Sequence, residues 1–231
     1  MNVKNTLKHF LGRYPALFFP AYRLTAPRHH IDECLFSPEK ELVIEGFPRS
    51  ANTFAVVAFR QAQGRDVSMG HHLHVEAQVL RAVRLGKPCI VLIRRPDDAI
   101  RSLVIRHPSV NMDHAYRRWK LFYSAALRVI DKVVMAPFEE VTRNYGDIIE
   151  RLNNKFGTNY SRFEHTEANV KNVFQEIEEI NKKLDHGLET HVARPSQKRG
   201  EVQVVLPHSN TRDDANRLFE QIMVMARKEG L

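Results

Sequence analysis

The chain has 231 residues, of which 43% are hydrophobic and 27% charged. It can therefore bury one full-sized core, and neither a disordered nor a fibrous class fits this composition. Lys and Arg number 35 against 27 Asp and Glu, a net charge of +8 at pH 7. Such a surplus favours an anionic ligand or surface, such as phosphate, sulfate, nucleic acid or anionic lipid.

The two cysteines, Cys34 and Cys89, are too few for a disulfide framework, and Cys89 lies in an apolar run typical of a buried strand. We expect both to be free thiols in a reducing compartment. No stretch approaches the roughly 18 apolar residues of a membrane-spanning helix, and no convincing signal-peptide cleavage site follows the N-terminal apolar run. The sequence therefore predicts a cytoplasmic protein.

The first 40 residues predict an extension that packs on a single domain covering 1–231. Within it, residues 7–24 mix large apolar residues with Lys and Arg. A helix or loop packed on the domain is the interpretation we favour. Peripheral contact with a membrane surface is the alternative.

Strands and helices alternate between residues 41 and 157, which we expect to form the βα core. Apolar runs predict strands at 41–47, 66–70, 89–94 and 132–136, and helical periodicity predicts helices at 53–63, 75–85, from Pro96 onward, 112–130 and 139–156. The remaining part, 158–231, is predicted to be helical and basic, with helices near 170–184 and 213–228. The alternation predicts a three-layer α/β sandwich around a central parallel sheet, in which ligands bind at the carboxyl ends of the strands.

The first strand-to-helix turn contains a variant of the phosphate loop G-x-x-x-x-G-K-[ST]. It reads Gly46-Phe47-Pro48-Arg49-Ser50-Ala51-Asn52-Thr53, with Ala51 for the second glycine and Asn52 for the lysine. Helix N-terminal amides, the Ser50 and Thr53 hydroxyls and Arg49 predict a phosphate site that lacks the usual ATP geometry. Alternatively, these residues only cap the helix and add a surface charge.

A second anion-binding motif follows the third strand, where Arg94 stands at the strand end and Ser102 lies two turns into the next helix. Both can converge on a second phosphate at the same edge of the sheet. Together the two motifs resemble those of the sulfotransferases that use 3′-phosphoadenosine 5′-phosphosulfate. That family has a P-[KR]-S-G-T-T-[WF] loop, here Pro48 to Phe54, and an R-x-P-x-D-x-x-x-S run, here Arg94 to Ser102.

The resemblance covers residues 41–106 and implies a fold of the P-loop nucleotide-binding type. It places Arg49 near the bridging oxygen of the phosphosulfate, Thr53 on the 5′-phosphate, and Arg94 with Ser102 on the 3′-phosphate. Ala51 and Asn52 depart from the family loop, and a positive φ at Ala51 would strain the backbone. The basic triplet Lys198-Arg199-Gly200 is similar to the R-K-G element that closes over the nucleotide in the family.

Histidines follow the second predicted strand at the same edge, in the run His71-His72-Leu73-His74. The segment from His72 to Gln78 is similar to the family's K-T-H-L-P-A-Q, which implies that His74 is the catalytic base and that His72 stands where a lysine is common. Histidine is the usual group to take an acceptor proton near neutral pH. A metal site at the H-x-H pair is the weaker interpretation, because no third ligand recurs at suitable spacing.

The resemblance thus implies transfer of a sulfuryl group, without a metal, from the sulfonucleotide to a hydroxyl or amine acceptor. The acceptor is a carbohydrate, a lipid or a small phenol or alcohol; the sequence does not choose among them, nor does it indicate an oligomeric state. Two alternatives stay open. One is a P-loop nucleotide kinase or other phosphotransferase. The other is a non-catalytic protein that binds nucleotide or nucleic acid, although no nucleic-acid-binding module is recognised and we expect no such partner.

Overall fold

The computed structural model describes residues 3–185 and 204–228. In chain order its elements are α1 Val3–Leu11, α2 Pro15–Thr25, α3 Arg28–Cys34, β1 Leu42–Gly46, α4 Asn52–Gln63, β2 Met69–His71, α5 Glu76–Arg84, β3 Cys89–Ile93, α6 Pro96–Arg106, α7 Met112–Leu127, β4 Val134–Pro137, α8 Phe138–Arg143, α9 Tyr145–Phe156, α10 Glu167–Asp185 and α11 Asn210–Lys228.

The four strands form one parallel sheet in the order β2-β1-β3-β4. Strand β1 lies between β2 and β3, so that Ile44 is opposite His71 of β2 on one side and Ile90 of β3 on the other. The α/β class with a central parallel sheet and helices around it is therefore confirmed. Each strand is joined to the next strand in the chain by at least one helix, as parallel pairing requires, which explains why strand and helix alternate along this part of the chain.

Successive side chains of each strand pack into two different cores, as the twofold repeat of a strand requires. Val43 and Val91 contribute to a core that also contains residues of α2, α5, α6, α7 and α11. Ile44 and Leu92 contribute to a second core with residues of α4, α8, α9 and α10. Because helices cover both faces, the strands are apolar throughout rather than alternating with polar residues.

The single helix expected at 139–156 is wrong: two helices, α8 and α9, meet there at Asn144. Its φ of −154° and ψ of 67° lie outside the helical region, and its side chain contacts Asp147 in the first turn of α9. Asparagine favours such breaks because its short polar side chain offers alternatives to helical hydrogen bonds. Tyr145, the first residue after the break, is fully buried.

Among the first three helices, α2 packs against the domain through Phe18 and Phe19, which are both buried. Cys34 and Cys89 are buried free thiols. Among the residues that the structure describes, no helix combines the length and the apolar character needed to cross a membrane.

Candidate functional site

The carboxyl ends of β1, β2 and β3 meet at one edge of the sheet. Residues 47–51 join β1 to α4, residues 72–75 join β2 to α5, and Arg94 follows β3 directly. Because these strands are parallel neighbours, the sheet brings together the motifs that the sequence places after each of them. The predicted triplet Lys198, Arg199 and Gly200 lies outside the described residues.

The backbone at this edge is strained. Positive φ angles occur at four non-glycine residues of the described chain, and all four lie in these loops: Arg49 (71°), Ala51 (67°), His72 (58°) and His74 (55°). The left-handed conformation costs a residue with a Cβ roughly 1–2 kcal/mol. Such conformations persist where the surrounding structure enforces them, and they cluster at functional sites.

The loop after β1 presents backbone amides at the start of α4. Ala51 precedes the helix in the left-handed conformation, as the sequence predicts if the loop keeps its glycine-like shape. The amides of Asn52, Thr53 and Phe54 donate to no acceptor within the described part of the chain. Unpaired amides at a helix N-terminus carry partial positive charge and favour an anion.

The buried side chains of Ser50 and Asn52 hold this loop in place from the protein interior. Ser50 is fully buried, and its hydroxyl oxygen lies 3.4 Å from that of Tyr123. Tyr123 also accepts from the Phe47 amide at 3.2 Å, while Asn52 Nδ2 donates to the Phe47 carbonyl at 3.0 Å. In this structure both side chains shape the loop, and the backbone amides are left to meet a ligand.

Two arginines and a serine are linked at the same edge. Arg49 Nε donates to Ser102 Oγ at 3.1 Å, and Arg94 Nη1 donates to the Arg49 carbonyl at 3.1 Å. The Arg94 guanidinium lies over the ring of Phe138, 4.0 Å from its centroid, and Trp119 Nε1 donates to the Arg94 carbonyl. The two motifs predicted to bind separate phosphates are thus in direct contact.

A chain of hydrogen bonds runs from Arg60 through two histidines to Thr53. Arg60 Nη2 lies 3.0 Å from His71 Nε2, His71 Nδ1 lies 2.8 Å from His72 Nδ1, and His72 Nε2 lies 3.2 Å from Thr53 Oγ1. Arginine only donates, so His71 accepts at Nε2, donates from Nδ1 to His72, and His72 then donates from Nε2 to Thr53. Because its oxygen accepts this bond, the Thr53 hydroxyl can direct its own hydrogen toward a ligand.

This chain requires both histidines to be neutral, and their surroundings keep them so. Burial lowers the pKa of His71 well below 6.5, and His72 lowers it further. Burial, together with the positive charge of Arg60, lowers the pKa of His72 to about 4. Both imidazoles are therefore uncharged at pH 7, as the directions of the hydrogen bonds demand.

His74 is held in one tautomer by the end of β1. Its Nδ1 lies 2.7 Å from the Gly46 carbonyl, which can only accept, so Nδ1 carries the hydrogen. Within the described residues Nε2 has no hydrogen-bond partner, and its lone pair is available. Burial lowers the pKa of His74 well below 6.5, and neighbouring His72 lowers it further. His72 uses both ring nitrogens within the protein, whereas His74 keeps one for a ligand.

Glu45 is the main site residue that the sequence reasoning missed. It is fully buried, accepts from the amides of Leu73 at 2.8 Å and His74 at 3.1 Å, and accepts from Gln78 Nε2 at 2.8 Å. Burial raises the pKa of Glu45 to about 7, although these hydrogen bonds act in the opposite direction. An acidic residue within an otherwise apolar strand is the signal that points to it, since buried carboxyl groups are rare.

Within the described residues, no group of three or more His, Cys, Asp or Glu side chains is arranged to hold a metal ion. Neither the models of known protein families nor the curated protein sequences give a match to this chain. Function has to be inferred from this edge of the sheet.

Proposed function

We propose that this protein is a sulfotransferase of the P-loop nucleotide-binding type, which transfers a sulfuryl group from 3′-phosphoadenosine 5′-phosphosulfate to a hydroxyl or amine acceptor. The observation that carries the proposal is the bond between His74 Nδ1 and the Gly46 carbonyl. Gly46 is both the last residue of β1 and the first residue of the phosphate loop. A neutral imidazole with an available Nε2 is thus fixed directly to the loop that offers amides to an anion.

The donor nucleotide would bind along this edge by its two charged ends. The α4 amides and the Thr53 hydroxyl suit the 5′-phosphosulfate, and Arg49 supplies a cation beside the loop. Arg94 and Ser102 suit the 3′-phosphate, with the Arg94 guanidinium oriented by the Phe138 ring. Lys198, Arg199 and Gly200 stay predicted contacts from the resemblance alone.

In the proposed reaction the acceptor oxygen or nitrogen attacks sulfur in line with the bridging S–O bond. That bond breaks, its electron pair leaves on the bridging oxygen, and the acceptor proton passes to His74 Nε2. Arg49 would stabilise the negative charge that develops on the bridging oxygen, which accelerates the step rather than only strengthening binding. The Glu45 carboxyl, 3.8 Å from His74 Nδ1, lies where it can stabilise the imidazolium.

Calorimetry with 3′-phosphoadenosine 5′-phosphate tests the nucleotide site. We expect binding to wild-type protein that EDTA does not change, and a loss of about 10- to 150-fold in affinity for Arg94→Ala, as for one charge-assisted hydrogen bond. The affinity of Arg94→Ala for adenosine 5′-phosphosulfate, which lacks the 3′-phosphate, should change little. Ser102→Ala should also weaken the preference for the nucleotide that carries the 3′-phosphate, but by a smaller amount.

Arg95→Ala is the matched control, since Arg95 points away from the site and donates to Glu220 of α11 at 2.8 Å. It should bind both nucleotides like the wild type. Binding of ATP that depends on magnesium, without binding of the bisphosphate, would instead support the phosphotransferase. A protein that binds neither nucleotide, or one in which Arg95→Ala alone removes the preference, would contradict the proposed site.

A further inference from the structure

The outer faces of α1 and α2 carry large apolar side chains that the core does not use. Leu7, Phe10 and Leu17 are each 55% exposed, and Leu24 is 86% exposed. The opposite side of α2 packs against the domain through Phe18 and Phe19. The outward residues are therefore additional to those that hold the helices in place.

These side chains form one continuous stripe. Phe10 follows Leu7 by one helical turn, and the rings of Phe10 and Tyr14 contact each other edge to face with centroids 6.0 Å apart. Leu17 follows Tyr14 by one turn, and Leu24 follows Leu17 by two turns on the same face of α2. The contact between Phe10 and Tyr14 thus links the exposed apolar side chains of α1 to those of α2.

The charged residues in the sequence around the stripe are all basic. Residues 3–31 contain no Asp or Glu, and their basic residues are Lys4, Lys8, Arg13, Arg23 and Arg28, with three histidines in addition. Arg13 and Arg23 are exposed. Arg28 is exposed too, with Asp32 at 3.8 Å, but ion pairs as exposed as this one are weak.

A neighbouring helix extends this positive charge. Arg81 of α5 lies over the ring of Phe19, 4.2 Å from its centroid. Burial lowers the pKa of Arg81, and the nearby Arg23 and Arg84 lower it further, while Glu39 acts against them. The guanidinium groups of Arg23, Arg81 and Arg84 are thus close enough for their positive charges to affect one another.

We propose that the outer face of α1 and α2 is a docking surface for membranes that contain anionic lipids. An apolar stripe flanked by arginines matches a lipid surface, whose acyl region accepts the apolar side chains while its anionic headgroups neutralise the arginines. The proposal is independent of the proposed sulfotransferase activity, since it rests on different residues. Because Gly12 packs against Val75, next to His74, docking would bring the candidate site within about one helix diameter of the helices that touch the lipid.

Vesicle co-sedimentation of the full chain tests the proposal. We expect at least about tenfold stronger binding to phosphatidylcholine vesicles with about 30% phosphatidylserine than to phosphatidylcholine alone, with most of it lost at about 0.5 M salt. Phe10→Ser combined with Leu17→Ser should weaken binding at least about tenfold, since two apolar side chains no longer enter the lipid. Arg13→Glu combined with Arg23→Glu should weaken it at least about 25-fold.

Two double variants elsewhere on the surface serve as matched controls. Val224→Ser with Met225→Ser removes exposed apolar residues from α11, and Lys155→Glu with Lys171→Glu reverses exposed charges on α9 and α10. Both should bind vesicles like the wild type. The proposal is overturned if phosphatidylserine does not strengthen vesicle binding by the wild-type protein, or if the α1–α2 variants bind vesicles as strongly as the wild type. It is also overturned if sedimentation velocity shows that the stripe mediates a dimer and the protein does not bind vesicles.

Discussion

Among the described residues, left-handed backbone occurs in two kinds of region, the ends of helices and the carboxyl edge of the sheet, and different residues occupy it in each. At the ends of α4, α5 and α9 the left-handed residues are Gly64, Gly86 and Gly157, with φ between 61° and 65°. A Cβ at any of these positions would meet nothing within 4 Å. Glycine there serves only to turn the chain at low conformational cost.

At the carboxyl edge of the sheet the left-handed residues are Arg49, Ala51, His72 and His74. Three of them use their side chains: Arg49 bonds to Ser102, His72 contacts Thr53, and His74 bonds to the end of β1. A glycine at these positions would relieve the strain and lose the contact. The comparison indicates that backbone strain is retained where the side chain has a role. Ala51 is the exception, because its methyl group makes no such bond, so replacing it with glycine tests the strain alone.

The largest expected effect concerns His74. His74→Asn should lower kcat for any acceptor by about 10²- to 10⁴-fold, because the amide can still donate to the Gly46 carbonyl but offers no basic nitrogen. Asparagine also tolerates positive φ, so the loop should keep its shape. Affinity for 3′-phosphoadenosine 5′-phosphate, measured by calorimetry, should stay within about threefold.

His72→Asn is the matched control, since it makes the same substitution in the same loop. It should reduce kcat much less than His74→Asn, because His72 directs both ring nitrogens into the protein. If His72→Asn abolished activity and His74→Asn kept the kcat of the wild type, the base would have been assigned to the wrong histidine.

The second prediction concerns pH. His72 has its pKa lowered from 6.5 to about 4 in the folded protein by burial and then by Arg60. Between these values the unfolded chain binds more protons than the folded one, so the free energy of unfolding should fall as the pH falls from 6.5 to 4. Urea unfolding should show that wild-type protein loses up to about 1.4 kcal/mol per pH unit more than His72→Asn in this window.

Glu45 contributes with the opposite sign. Burial raises the pKa of Glu45 from 4.5 to about 7, so the folded protein binds more protons in this range and the stabilising contribution is lost as the pH rises. Glu45 is present in both proteins, and its effect cancels in the difference between them. Parallel pH profiles for wild-type protein and His72→Asn would mean that His72 is not held neutral by the fold.

The smallest expected effect separates the two regions directly. Ala51→Gly should raise the free energy of unfolding by about 1 kcal/mol, because glycine relieves the left-handed strain. Gly64→Ala, where φ is 61° and a Cβ has space, should lower it by about 1 kcal/mol. Both values come from urea unfolding at pH 7.

Ala62→Gly provides the reference for glycine in an ordinary helical position of α4, where a loss of about 0.5–1 kcal/mol is expected. If Ala51→Gly destabilises the protein as much as Ala62→Gly does, the strain assigned to the loop after β1 is absent.

The sequence by itself determined most elements of the βα core and the edge of the sheet at which the candidate site lies. Pro96 starts a helix because its fixed φ suits the first turn, and Asp97 and Asp98 follow where the helix dipole favours acidic residues. Apolar runs separated by helical periodicity require parallel strands, whose carboxyl ends share one edge. Arg49, His74 and Arg94 could therefore be placed together without coordinates, whereas the break at Asn144 could not, since the periodicity continues across it.

Only the tertiary structure decided which groups bond to one another and which are charged. Arg49 and Ser102 are 53 residues apart in the chain, and His74 and Gly46 are 28 apart, so no local pattern encodes these contacts. The neutral histidines and the raised pKa of Glu45 depend on burial, which the helices on both faces of the sheet impose only after they pack. Local hydrogen bonding and hydrophobic spacing specify elements, but tautomer, protonation and strain at the site follow from neighbours that folding alone brings within reach.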